Sequence, residues 1–211
     1  MKAPIFCIDD GHPLDLKVAQ ILLRKNYKAI FYIPLKNSEG LPSLTKKEIL
    51  YLSRHFEIGS HTFNHRVLTG LSEKKIRTEI KNGKEALEAI IGREVSSFCP
   101  PRGKYNRQII KIAKDLGIVD IRSARILNFK KTNREGLWHP NLHLYPHPSW
   151  LDFASCIKNI DPASLIKRTK YYKVSHLNLY RIFKSGNFTP YFWLHSWEIN
   201  KLGLWDLLSK I

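Results

Sequence analysis

Acidic residues are scarce in this chain. Its 211 residues hold 18 Asp+Glu against 35 Lys+Arg, a formal net charge of +17 with histidine neutral. Long apolar runs are missing as well: stretches such as 29–33 are about five residues, whereas a bilayer-spanning helix needs about 20. The N-terminal apolar stretch stops at Asp9, short of the roughly 7–15 residues of a signal peptide's middle region, so the chain is expected in the cytoplasm, with the inner membrane surface as a further place of action. Cysteine is limited to Cys7, Cys99 and Cys156, an odd number without Cys-x-x-Cys spacing. That pattern indicates neither a disulfide framework nor a thiolate zinc site, and buried thiols are expected. Repeats, low-complexity tracts and Pro/Gly/Ser-rich linkers are also lacking. At 43% hydrophobic residues the chain is too apolar for a disordered basic tail, and one compact domain over residues 1–211 is expected.

What is present is an alternation of short apolar runs with amphipathic ones. Strands are expected at 2–8, 29–33, 57–60, 97–99, 119–124 and 191–194. Between them the spacing predicts helices at 14–25, 44–55, 105–116, 151–160, 162–172, around 176–183, and 198–208. A longer helix should run from a Ser72 cap to Ile91, with Gly92 ending it. Residues 128–149 carry Pro and His at irregular intervals, and the pattern assigns no element there. Strands alternating with helices indicate an α/β domain with a mainly parallel sheet, and a closed barrel is compatible with the pattern. In such folds chemistry collects where strands end and loops begin.

Four predicted strand ends carry unusual polar residues. The first reads Asp9-Asp10-Gly11, the third His61-Thr62-Phe63-Asn64-His65, the fourth Cys99-Pro100-Pro101-Arg102, and the last Leu194-His195-Ser196-Trp197. Two imidazoles and one carboxylate suit zinc or a similar divalent metal, with positions left open for water and substrate. A second carboxylate can serve as general base, and a histidine from another strand as general acid. Taken singly, an Asp-Asp pair is more often a cap or turn, and His-x-x-x-His a surface coincidence. Their joint occurrence at successive strand ends reverses that balance.

This ordered set resembles the polysaccharide deacetylases of the NodB-homology type, carbohydrate esterase family 4, from residue 5 to about residue 205. The resemblance implies a distorted (β/α) barrel with fewer than eight regular strands. It implies Asp9 as catalytic base, Asp10, His61 and His65 as ligands of one divalent metal, most simply zinc, and His195 as general acid. The implied reaction removes N-acetyl groups from amino sugars: water activated at the metal attacks the amide carbonyl and His195 protonates the departing amine. An oxyanion contact is expected from the Pro100-Pro101 loop, with the N–H of Arg102 as donor beside Pro101. One position departs from the family, which often has arginine just before Pro-Pro to hold the catalytic Asp. Here it is Cys99, and Arg102, Arg122 and Arg125 are the candidate replacements.

Other residues are less specific. His12, beside Pro13, reads as a turn residue. His139, His143 and His147 recur every four residues, a spacing that suggests a second metal site, but Pro140, Pro146 and Pro148 break any helix that would align them, so separate loop roles are expected instead. Trp193 and Trp197 flank His195, where an aromatic face can stack on a sugar or pack in the core. Residues 121–197 carry +9 of the net charge, which suits an anionic or lipid-linked glycan, a membrane surface contacted peripherally, or nucleic acid, besides an ordinary solvated surface. No nucleic-acid-binding motif accompanies that charge, so no specific nucleic acid is expected. The alternatives to N-deacetylation are a deformylase or other amide hydrolase acting on a lipid-linked sugar or a small cyclic amide, and a basic nucleic-acid- or glycan-binding module without catalysis.

Overall fold

A computed structural model describes residues 3–127, 136–158, 160, 162–179 and 189–211. In chain order the elements are β1 (Ile5–Asp9), α1 (Asp15–Arg24), β2 (Lys28–Ile33), α2 (Lys46–Ser53), β3 (Glu57–Ser60), α3 (Glu73–Ile91), β4 (Ser97–Phe98) and α4 (Arg107–Asp115). They continue with β5 (Asp120–Arg122), β6 (Leu137–Trp138), β7 (Leu142–His143), α5 (Ser149–Lys158), α6 (Pro162–Lys170), β8 (Tyr191–His195), α7 (Ser196–Lys201) and α8 (Trp205–Lys210).

Every strand pairing is parallel, in the order β6-β5-β4-β3-β2-β1-β8-β7. β6 and β7, at opposite edges of that order, are separated in the chain by only residues 139–141. On one side this run accepts Ser123 N–H at Trp138 O (3.0 Å) and Leu127 N–H at Asn141 O (2.6 Å). On the other, Asn141 and Leu144 donate to Tyr191 O (2.8 Å) and Trp193 O (2.9 Å) of β8. One extended segment therefore closes the curl of the sheet, and two-residue strands make the barrel irregular, as the resemblance implied.

The helices form where local chemistry supports them. Thr45 and Glu48 make a reciprocal capping box at the start of α2. Asn106 accepts from Ile109 N–H at 2.9 Å, so α4 begins at Arg107 rather than at Tyr105. α3 buries Ile76, Ile80 and Leu87 and stops at Gly92, whose φ of 71° is left-handed as expected; Ser72 precedes it without a side-chain cap bond. The single helix expected over 198–208 is two, because Gly203 at φ 64° breaks it. The helix expected around 176–183 is a short 3-10 turn at His176–Asn178 in its first part, and 180–183 lie outside the described residues. Phe6, Ile8, Phe31, Ile33 and Leu194 fill the core between sheet and helices. All three cysteines are buried, as expected.

Gly83 lets α3 lie directly on the His61–His65 loop. A Cβ there would stand 2.7 Å from the Thr62 carbonyl carbon and 2.9 Å from Phe63 N. Alanine is the better helix former by about 1 kcal/mol, yet backbone crowding of this kind costs about 1–3 kcal/mol or more. Gly83→Ala is therefore expected to lower the denaturant midpoint; an unchanged or raised midpoint would show that the loop yields freely.

Candidate active site

Register brings the site together before any side chain is considered. β1 lies between β2 and β8, and Asp9 is paired with Tyr32 on one side and with His195 on the other. Equivalent positions on adjacent parallel strands project to the same face, so Asp9 and His195 are neighbours although 186 positions separate them. Asp10 then leaves the strand at φ 76°, a left-handed conformation that turns its carboxylate away from that of Asp9. Thr62 (φ 66°), His65 (φ 55°) and Arg102 (φ 57°) share this costly backbone region. Four such residues in the strand-end loops fit the general concentration of backbone strain at functional sites.

The loop after β3 is pinned from α3. Glu79 accepts from Asn64 N–H at 3.0 Å and from the Asn64 side-chain amide at 2.8 Å, while Phe63 N–H donates to the Glu79 carbonyl at 3.0 Å. The spacing places both imidazoles beside Asp10: His65 Nε2 is 3.1 Å and His61 Nε2 3.6 Å from Asp10 Oδ1. His61 Nδ1 lies 2.7 Å from the carbonyl oxygen of Cys99. A carbonyl only accepts, so this partner assigns the ring proton to Nδ1 and leaves Nε2 as a lone pair facing a carboxylate. Two buried acceptors in that arrangement call for positive charge between them. The Asp10, His61 and His65 ligand atoms lie within 4.8 Å of one another, and the donor set suits zinc or a similar ion.

Asp9 is held by Arg122. The guanidinium Nη2 donates to both carboxylate oxygens and, at 2.9 Å, to Cys99 Sγ. Arg122 is wholly buried at the end of β5, over the faces of Tyr32 and Trp193. Of the three candidate replacements for an arginine before Pro-Pro, Arg122 makes the contact. Cys99, just past the end of the neighbouring β4, is smaller than an arginine and leaves it room. Arg102 instead turns its side chain outward to Glu39 at 3.1 Å, in a 3-10 turn with buried Pro101.

His195 ends β8 with its Nδ1 2.6 Å from Glu198 Oε2 and its Nε2 3.8 Å from Asp10 Oδ2. Burial lowers its pKa, but the Glu198 hydrogen bond and the charges of Asp10 and Asp9 prevail and raise it to about 9, so the ring carries its second proton at neutral pH. Trp197 donates its Nε1–H to Asp10 Oδ2 at 2.9 Å and stacks beside His195. Trp193 lies flat on His143.

Sequence reasoning gave Glu198 no role and placed His143 and His147 wrongly. Glu198 stands three positions after His195 at the start of α7, a spacing that aligns the two on one helical turn. His143 was expected in a separate loop role, and the structure corrects this: β7 pairs with β8, matching His143 with Trp193, so the ring reaches Glu198 with no helix needed. His147 follows it, 3.0 Å from His143 Nδ1. His12 is a turn residue as expected, its Nδ1 accepting Leu14 N–H. The basic region is also less exposed than its count suggests, because Arg122 and Arg168 are buried against Asp9 and Asp152. Arg181, Lys184 and residues 128–135 lie outside the described residues. Among the described residues no helix is long and apolar enough to cross a membrane.

A family model for polysaccharide deacetylase matches residues 2–121, a span that holds Asp9, Asp10, His61, His65 and Arg102 and ends before His195. A peptidoglycan-N-acetylglucosamine deacetylase of Bacillus cereus is 34% identical over 112 residues, 52% of this chain and 50% of that protein. Chitin deacetylase 1 of Cryptococcus neoformans var. grubii is 27% identical over 114 residues, 54% of this chain and 24% of that protein. The chain spans about half or less of the length of such relatives. Among solved structures, a Streptococcus pyogenes deacetylase in complex with acetate has a TM-score of 0.59 at 22% identity, over 64% of this chain and 62% of that one. A pseudoenzyme of the CE4 family from Bacillus anthracis has a TM-score of 0.56 at 18% identity, over 99% and 60%. At these identities the structural likeness is one of fold.

Proposed function

Because this chain belongs to the polysaccharide deacetylase family, we propose that it is a metal-dependent carbohydrate N-deacetylase, hydrolysing the acetamido group of an amino sugar in a glycan or glycan precursor. The observation that carries this reading is the convergence of Asp9, Asp10, His61, His65 and His195 at adjoining strand ends, in a buried setting with Arg122 behind Asp9. Asp10, His61 and His65 would hold the divalent ion, zinc being the simplest match to the donors. When bound, such an ion polarises the amide carbonyl and lowers the pKa of water.

The protein's own residues do the rest. Asp9 takes the proton that the attacking water loses, and Arg122 fixes which way its oxygens point. The oxygen of that water becomes part of the released acetate. His195 delivers a proton from Nε2 to the amide nitrogen as the C–N bond breaks, and Glu198 holds the opposite ring edge. Trp197 binds the outer oxygen of Asp10, which leaves Oδ1 directed at the two imidazoles. The left-handed Arg102 beside Pro101 offers its N–H to the developing oxyanion.

Release of acetate and free amine from an N-acetylglucosamine oligomer, lost on chelation and restored by zinc, is the test. Formyl, lipid-linked and cyclic-amide substrates run beside it separate the related hydrolases. No turnover of the acetylated oligomer, with rapid release of formate from a formylated sugar, would overturn the acetyl assignment.

The pH dependence follows from His195. Its pKa is raised, so the acid form is present below about 9 and is lost as pH rises through that value. Glu198→Gln removes the carboxylate that holds the proton and leaves the lowering effect of burial. The alkaline limb of kcat/KM is expected to move to lower pH in this variant; a limb that stays in place would separate it from His195.

A further inference from the structure

A histidine cluster beyond the catalytic groups remains unused by this chemistry. Glu198 Oε2 lies 2.6 Å from His195 Nδ1 and 3.2 Å from His143 Nε2, and the three ligand atoms fall within 4.8 Å of one another. The cluster is braced on several sides. The His143 ring lies on Trp193 with centroids 3.7 Å apart and planes 7° from parallel, and its Nδ1 is 3.0 Å from His147 Nε2. His147 meets the edge of His176, which is fixed in turn by Asp152 at 2.6 Å and by the His143 carbonyl at 3.0 Å. An imidazole held on its face and on its outer nitrogen has the outer-shell support usual for metal-ligating histidines. His195 and Glu198 are partly accessible, which leaves an approach from solvent.

We propose that His143, Glu198 and His195 form a second divalent-cation site, of the two-imidazole and one-carboxylate type that zinc favours, and that its occupation is inhibitory. His195 is shared between two environments, with Nε2 toward Asp10 and Nδ1 toward Glu198. A cation on Nδ1 takes the place of the proton that this nitrogen shares with Glu198, releasing it to solvent, and the ring ceases to be an amine-protonating group. The first equivalent of zinc then activates and excess zinc inhibits. The inhibitory half rests on the role given to His195 above, whereas the binding half rests on the three donors alone.

The test is zinc stoichiometry by equilibrium dialysis of the full chain, read beside acetate release. Two equivalents are expected in the wild type and one in His143→Asn and Glu198→Gln. His61→Ala is expected to lose the first equivalent and keep the second. His147→Asn, which removes only outer support, should weaken the second equivalent about 10–100-fold. Wild-type activity should fall several-fold beyond the first equivalent, while the ratio of rates with and without excess zinc stays flat in His143→Asn. One equivalent in the wild type, or two in His143→Asn, overturns the site. Two equivalents with no loss of rate overturns its inhibitory role. A wild type that binds no zinc fails the deacetylase reading as well, which distinguishes the two failures.

Discussion

Arg122→Met is expected to remove most activity and to destabilise the fold. Asp9 is 3% exposed, and Arg122 is the cation that binds both of its oxygens. Breaking one side of a buried ion pair leaves an uncompensated charge, at a typical cost of about 3–5 kcal/mol. That is a large part of the ~5–15 kcal/mol by which domains are stable, so the methionine variant is expected to show a much lower melting temperature. Arg122→Lys separates positioning from folding. It keeps the charge and much of the stability but has no planar fork to span two oxygens. We expect it to be folded, with kcat reduced more than KM is raised. A lysine variant of wild-type kcat would show that charge alone suffices; a methionine variant of unchanged stability would show that the pair contributes nothing net. Moving the arginine back, with Cys99→Arg in the Arg122→Met background, should recover part of the activity because the two positions lie on adjacent strand ends around one carboxylate.

Asp9→Asn is expected to abolish turnover while zinc binding survives. The amide keeps the shape of the side chain and can still meet Arg122, but it has no basic oxygen with which to take a proton from water. General base catalysis contributes about 10²–10⁴-fold, so kcat should fall within that range or below detection. Zinc binding should be unchanged at the first site, because Asp10, His61 and His65 bear the ligand atoms there. The measurement is acetate release paired with metal content. Loss of zinc together with activity would mean that Asp9 is itself a ligand, a possibility with a geometric basis in the Asp9, His61 and Cys99 grouping. Retained activity without Asp9 would refute its role as base.

Local signals in the sequence reached far into the site because strand ends are local features. An apolar run stopped by Asp9-Asp10-Gly11, or by His61, shows where a strand meets a loop, and parallel α/β topology then implies that such ends share one rim. The β3 limits and the glycine stop of α3 came from the same short-range chemistry, whereas Ser72 makes no side-chain cap bond and the caps at Thr45 and Asn106 were not foreseen. The expected helix at 198–208 failed at Gly203, where a single left-handed residue outweighed continuous apolar spacing.

What the chain determined by itself was the set of candidate groups and the edge of the sheet on which they meet, because residue type and hydrophobic period act over a few positions. Only the tertiary structure decided which cation guards Asp9. Arg122, Arg102 and Arg125 are equivalent as letters, and the choice falls to Arg122 because β5 carries it into the barrel wall behind Cys99. The same holds for Glu198 and His143, whose meeting at His195 depends on the register of β7 on β8. Pairing register is a long-range property, set by how the sheet closes, and no short stretch of sequence records it.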